Sequence, residues 1–149
     1  MERDKSTRVI LLVEDNQADV LLTRRAFKKS GIANEVVVVR DGQEALDYLF
    51  GEGPYAGRPE AVLPTVILLD LQLPRVSGLD VLRRVRADPR TRRQPVVILT
   101  SSNEDRDLLE GYDLGANAYV RKPVDFSEFV EAAQALGFFW LLVNKLPQR

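Results

Sequence analysis

Five short strand-like runs, separated by segments of helical character, restrict this chain to a narrow set of folds. The runs are Val9–Val13, Glu35–Val39, Thr65–Leu69, Pro95–Leu99 and Ala118–Val120. Val9-Ile10-Leu11-Leu12-Val13 and Val66-Ile67-Leu68-Leu69 show no polar alternation at all. A strand apolar on both sides must be covered on both sides, which is the condition of a parallel sheet. Helix-prone segments lie between the runs, roughly at Ala18–Ser30, Gln43–Phe50, Leu79–Ala87 and Glu104–Leu114, and a last one starts near Phe126. Five strand–helix units predict an α/β fold: a doubly wound, five-stranded parallel sheet with five helices and an extended C-terminal segment. Gly31 and Gly115 fall where helices should end. Asn103 can cap a helix whose first turn carries Glu104 and Asp105, which suits the helix dipole. In the first helix, Ala18, Leu21, Leu22 and Ala26 form the expected core stripe.

Bulk properties narrow the chemistry. At 149 residues the chain suffices for one domain with a sizeable core. The expected division is a tail at residues 1–8 and a single domain over 9–149, with a C-terminal helix or tail at 128–149. Cysteine and histidine are both absent, which removes disulfides, thiolate and imidazole metal sites, and Ser-His-Asp catalysis. Oxygen ligands remain, so any metal site points to a hard cation such as Mg²⁺, Mn²⁺ or Ca²⁺. A net charge of −1 argues against a general polyanion binder, so no nucleic-acid partner is expected. Six arginines crowd the stretch from Arg83 to Arg93 and read as a solvated charged face. No apolar run approaches the length of a membrane span. The charged start of the chain, Met1 to Arg8, has no signal-peptide core, so a cytoplasmic protein with no membrane contact is expected.

The strand ends carry the functional signal. Glu14 and Asp15 follow the first strand, and Asp70 follows the third. Sites in open α/β sheets form at the carboxyl ends of the strands. In a doubly wound sheet these two strands can be neighbours, and the three carboxylates would converge. Two like charges ~5 Å apart repel by ~3 kcal/mol at an effective dielectric of 20. Such a group needs a cation, and Mg²⁺ suits one or two carboxylates plus water. The plainer reading is that Asp15 merely caps the first helix, which would explain one Asp but not three acids at two strand ends. Thr100 follows the fourth strand and can donate to an anion there, although Ser101 and Ser102 are alternative donors. Lys122, after the fifth strand, puts a compact positive charge at the same rim, and Pro123 after it permits a cis peptide.

In these motifs the chain resembles the receiver domain of two-component response regulators. The matching pieces are Ile10-Leu11-Leu12-Val13-Glu14-Asp15, Leu68-Leu69-Asp70-Leu71-Gln72-Leu73-Pro74, Ser77-Gly78, Ile98-Leu99-Thr100-Ser101 and Gly115 through Pro123. The resemblance implies a flavodoxin-like strand order 2-1-3-4-5. It implies that Asp70 is the phosphoacceptor for a partner histidine kinase. Asp15, Asp70 and the backbone carbonyl of Gln72 would ligate Mg²⁺, with Mn²⁺ as the alternative, and Glu14 would hold a metal-bound water. Lys122 and Thr100 would each take a phosphoryl oxygen, Thr100 and Tyr119 would form the switch, and Pro123 would follow a cis peptide. The chain would promote its own aspartyl phosphorylation and dephosphorylation without being an enzyme in the ordinary sense. Glu14 stands where many members have Asp.

Two regions refine the resemblance. Gly51 to Pro64 reads as a long loop, either an interaction surface or a tolerated insertion. Leu136 to Val143 holds more consecutive apolar residues than one helix stripe can hide. Phe138, Phe139, Trp140, Leu141 and Leu142 therefore either meet a second copy or fold back over the domain. The 22 residues after Ser127 are too few for an output domain. Loop and tail resemble the stand-alone response regulators of bacterial and cyanobacterial phytochromes, which implies a phytochrome kinase as donor and a homodimer through the C-terminal region. Three competitors have weaker support. A flavodoxin-type cofactor binder needs a phosphate-cradling loop where Glu14-Asp15-Asn16 stands. A haloacid-dehalogenase-like phosphohydrolase needs Asp where Gln72 stands. A non-phosphorylated receiver-like scaffold would be expected to lack Asp70 or Lys122.

Overall fold

The computed structural model describes residues 9–32, 34–57, 63–100 and 105–121, together with Ser127, Val130, Glu131, Gln134 and Ala135. Five parallel strands form one sheet in the order β2-β1-β3-β4-β5. They are β1 (Val9–Val13), β2 (Glu35–Val39), β3 (Val66–Leu69), β4 (Val96–Thr100) and β5 (Ala118–Arg121). Four α-helices connect them: α1 (Gln17–Lys29), α2 (Gly42–Phe50), α3 (Gly78–Ala87) and α4 (Asp105–Asp113). Ser127, Val130, Glu131, Gln134 and Ala135 are also helical, where a fifth helix is predicted. The strand order follows from covering both faces. The chain moves outward from β1 to β2, then crosses to β3 on the other side, which leaves β1 and β3 as neighbours.

Strand pleating divides the core in two. Leu11, Val13, Ile67, Leu69 and Ile98 face one layer with Leu46 and Leu49 of α2 and Val81, Leu82 and Val85 of α3. Ile10, Leu12, Leu68, Val97 and Leu99 face the other, with Val20, Ala26 and Phe27 of α1 and Val130. Alternate residues point to opposite faces of a strand, so an unbroken apolar run feeds both layers at once.

The buried stripe of α1 differs from the expected one. Val20, Thr23, Ala26 and Phe27 are buried, whereas Ala18 is exposed and Leu21 is 52% exposed. Phe27 offers more apolar area than Leu21, and its face turns inward. Thr23 is tolerated on that face because its hydroxyl donates to the Asp19 carbonyl at 2.8 Å. The N-cap of α1 is Asn16, which accepts the Asp19 N–H at 3.1 Å, so the plainer reading of Asp15 as the cap does not hold. Gly31 and Gly115 do end helices, with φ of 78° and 89°. Asn103 lies outside the described residues.

The first part of the long loop folds back onto α2. Gly53–Tyr55 makes a 3₁₀ turn. The Tyr55 ring meets Tyr48 edge-on at 5.1 Å, and its hydroxyl lies 3.0 Å from Glu44 Oε2. The arginine-rich stretch is not uniformly solvated. Arg86 is half-buried and donates to the carbonyls of Arg92, Gln94 and Gly115 and to Asn117 Oδ1. It thus ties α3 to the chain entering β4 and β5, at the end of the sheet opposite the carboxylates. Arg90 forks onto Asp88 and holds its carboxyl down at about 2.

Candidate phosphoacceptor site

The β1–β3 register builds the site. Val13 pairs with Leu69, so the next residues, Glu14 and Asp70, emerge side by side at the carboxyl edge. Asp70 N–H donates to the Val13 carbonyl and Glu14 N–H to the Val39 carbonyl, each at 3.0 Å. Both residues are therefore held in the sheet ladder up to the point where their side chains leave it. Carboxylate oxygens of Glu14, Asp15 and Asp70 all lie within 4.8 Å of one another. Glu14 and Asp70 are buried, and Asp15 is exposed.

Local hydrogen bonds orient the acids. Glu14 Oε2 accepts the Asn16 N–H at 3.2 Å, and Asp70 Oδ1 accepts the Gln72 N–H at 3.1 Å. Because Asn16 takes over the helix cap, Asp15 is not committed to it. The donor set consists of oxygens alone, two of them on buried carboxylates, and this chemistry fits a small divalent cation. Near-neighbour acids that repel by a few kcal/mol at ~5 Å are stabilised when such an ion neutralises them.

The loop after Asp70 is pinned at its base. Gly78 N–H donates to the Leu71 carbonyl at 3.0 Å. A Cβ on Gly78 would sit 2.6 Å from Leu71 Cα and closer still to the Asp70 carbonyl oxygen. Glycine at this position lets the first turn of α3 press against the peptide that carries Asp70. In the sequence, the only trace of this packing is a glycine after Ser77, between the loop and the start of α3.

The remaining predicted residues are placed unevenly. Thr100 ends β4 opposite Arg121 of β5, on the carboxyl edge shared with Asp70. Tyr119 lies in β5 opposite Ile98, half-buried against the core layer that contains Leu69. Gln72 is exposed in the β3–α3 loop. The Thr100 side chain, Lys122, Pro123 and Phe138 to Leu142 lie outside the described residues.

Comparison with known proteins settles the family. The family model described as the response regulator receiver domain matches residues 10–134. The chain belongs to this family. As a receiver it is a two-component signalling domain, whose family partner is a histidine kinase, rather than a classical enzyme. The receiver is 38% identical over 140 residues to response regulator Rcp1 of Synechocystis sp., covering 94% of this chain and 93% of Rcp1. Among solved structures, it superposes on the phosphorylated cyanobacterial phytochrome response regulator RcpA with a TM-score of 0.84, at 42% identity, covering 95% of this chain and 99% of RcpA. The bacteriophytochrome response regulator AtBRR is 55% identical with a TM-score of 0.75, covering 93% of this chain and 99% of AtBRR. Rcp1 has also been solved in a Mn²⁺-bound form.

Proposed function

We propose that this receiver takes a phosphoryl group from a phosphohistidine kinase onto Asp70, with Mg²⁺ or Mn²⁺ held among the acids. The observation that carries the reading is the convergence of Glu14, Asp15 and Asp70 within 4.8 Å at the ends of two paired strands. Asp70 is the nucleophile: one carboxylate oxygen bonds to phosphorus, the donor's P–N bond breaks, and the imidazole leaves and is reprotonated from solvent. Gln72 N–H donates to Asp70 Oδ1 at 3.1 Å and so helps to orient the attacking carboxylate. Asp15, Asp70 and the Gln72 carbonyl are assigned to the ion, and Glu14 to a water in its shell. The ion supplies charge neutralisation for the phosphoryl oxygens when bound. Lys122 and Thr100 are assigned a phosphoryl oxygen each, and Pro123 the cis peptide that aims Lys122. Thr100 and Tyr119 are assigned the switch, since both lie on strands beside the core layer that contains Leu69. Dephosphorylation would follow by attack of water on phosphorus, which breaks the bond to the Asp70 oxygen, releases inorganic phosphate and returns the Asp70 carboxylate.

The test is direct. Incubation with acetyl phosphate and Mg²⁺, followed by intact mass measurement, should give one labile phosphoryl adduct, and EDTA should prevent it. Labelling that is indifferent to EDTA counts against a metal among the three acids.

The relatives support the finer reading of the partners. RcpA and AtBRR are phytochrome response regulators, and this chain covers nearly all of both. A phytochrome kinase is accordingly the proposed donor. The aromatic run Phe138, Phe139, Trp140, Leu141 and Leu142 is the proposed homodimer contact. Trp140→Ala should lower the dimer fraction in light scattering by several-fold; an unchanged mass distribution removes the aromatic contact from the proposal.

A further inference from the structure

The β3–α3 loop is sewn to α2 at a point well past Asp70. Pro74 is the hub. Its carbonyl accepts the Val76 N–H at 2.8 Å, closing a three-residue turn around Arg75, and lies 3.4 Å from the Gly42 N–H. Arg75 has a φ of 68°, and it is the one non-glycine at positive φ among the described residues. That region is strained for a residue with a Cβ. The turn stays closed despite a side chain that disfavours it, so something else must hold it. Two contacts on α2 do so. A Cβ on Gly42 would come within 2.7 Å of Val76, so the loop lies directly on the helix start. Arg75 Nε lies 3.5 Å from Asp41 Oδ1. The same Asp41 oxygen accepts the Glu44 N–H at 2.7 Å as the N-cap of α2, so the anchor is itself fixed.

We infer that the Arg75–Asp41 ion pair is a positioning clamp that holds the Gln72 peptide ready for the divalent cation. Gln72 lies between two fixed points. Upstream, Leu71 is pinned through Gly78 N–H; downstream, Pro74 is pinned to Gly42 and Arg75 to Asp41. A short segment held at both ends has little conformational freedom left to lose when its carbonyl is taken up by an ion, and such preorganisation appears as affinity. The inference rests on the metal assignment made above.

At Arg75, long-range electrostatics and the clamp predict opposite signs, whereas at Asp41 they predict the same sign, so the Arg75 variants and the double variant decide the test. Removing the cation of Arg75 should tighten Mn²⁺ binding if charge alone matters. The clamp predicts weaker binding. The experiment titrates MnCl₂ into the full chain by calorimetry and follows thermal unfolding in EDTA. Arg75→Ala and Asp41→Ser should each weaken Mn²⁺ binding about two- to fivefold, the range an exposed ion pair spans. Serine keeps the α2 cap. The double variant should lose no more than either single one, and Arg75→Lys should recover most of the loss. Arg75→Gly should weaken Mn²⁺ binding like Arg75→Ala, yet should not lower the unfolding temperature in EDTA, because glycine accepts positive φ. Affinity unchanged or tightened in Arg75→Ala, or losses that multiply in the double variant, overturns the clamp. A wild-type chain that binds no Mn²⁺ overturns the metal assignment and the clamp together.

Discussion

Asp70→Asn should abolish the phosphoryl adduct while making the metal-free protein harder to unfold. The first effect follows from chemistry: a neutral amide oxygen is a poor nucleophile towards phosphorus, and no aspartyl phosphate can form. Intact mass after acetyl phosphate treatment should fall from one adduct to none. The second effect follows from the geometry. Asp70 shares a 4.8 Å neighbourhood with Glu14 and Asp15. Each like-charge pair at that separation repels by about 3 kcal/mol at an effective dielectric of 20. Solvent screening offsets part of this, so a net gain of about 1–2 kcal/mol is the expected scale, or about 3–6 °C in unfolding temperature. The amide oxygen can still accept the Gln72 N–H that Asp70 Oδ1 accepts at 3.1 Å, so the loop keeps its local order. Mg²⁺ should then reverse the comparison, because the wild type gains binding free energy that the variant has largely lost. An adduct retained in Asp70→Asn would move the phosphoacceptor to another acid. A variant that unfolds earlier than wild type in EDTA would show that attraction, not repulsion, dominates at this carboxylate.

That trade between chemistry and stability explains why the site was visible in the sequence. A carboxylate at the end of a strand buried on both faces has no structural reason to be there, and neighbouring strands of a parallel sheet place their ends together. The bounds of β1 and β2 fall where the strand-like runs fall. β3 and β4 begin one residue later than their runs, after Thr65 and Pro95. What the sequence hides is non-local. Nothing in the spacing of α1 says that Phe27 outweighs Leu21, because that is decided by the shape of the layer it enters. Six arginines look alike in a row, yet Arg86 alone is spent on three carbonyls and an amide brought near it by β4 and β5. The positive φ of Arg75 leaves no compositional trace, because glycine or asparagine is the residue that would announce it.

Gly78→Ala should be strongly destabilising, although local propensity argues for the reverse. Alanine is the better helix former by about 0.8–1 kcal/mol, and Gly78 opens α3 behind the Ser77 cap. Its φ is not positive, so backbone conformation gives no reason for glycine. The reason is space. The added Cβ would stand 2.6 Å from Leu71 Cα, where ordinary contacts begin near 3.4 Å, and it would crowd the Asp70 carbonyl as well. Both obstacles are backbone, which cannot rotate aside as a side-chain tip can. Either α3 withdraws from the sheet or the Asp70–Leu71 peptide moves. Forced overpacking costs typically 1–3 kcal/mol, occasionally more; against the propensity gain, a net loss of about 2 kcal/mol is expected, roughly 4–8 °C in unfolding temperature. Activity should suffer beyond stability, because the displaced peptide carries the nucleophile and the Gln72 N–H that orients it. A misplacement of about 1 Å near reacting atoms can cost a hundredfold in rate. Phosphorylation by acetyl phosphate, measured well below the variant's unfolding temperature, should slow at least tenfold. A stabilised Gly78→Ala protein with normal labelling would mean that the β3–α3 loop yields to a methyl group, and that glycine here serves the helix rather than the site.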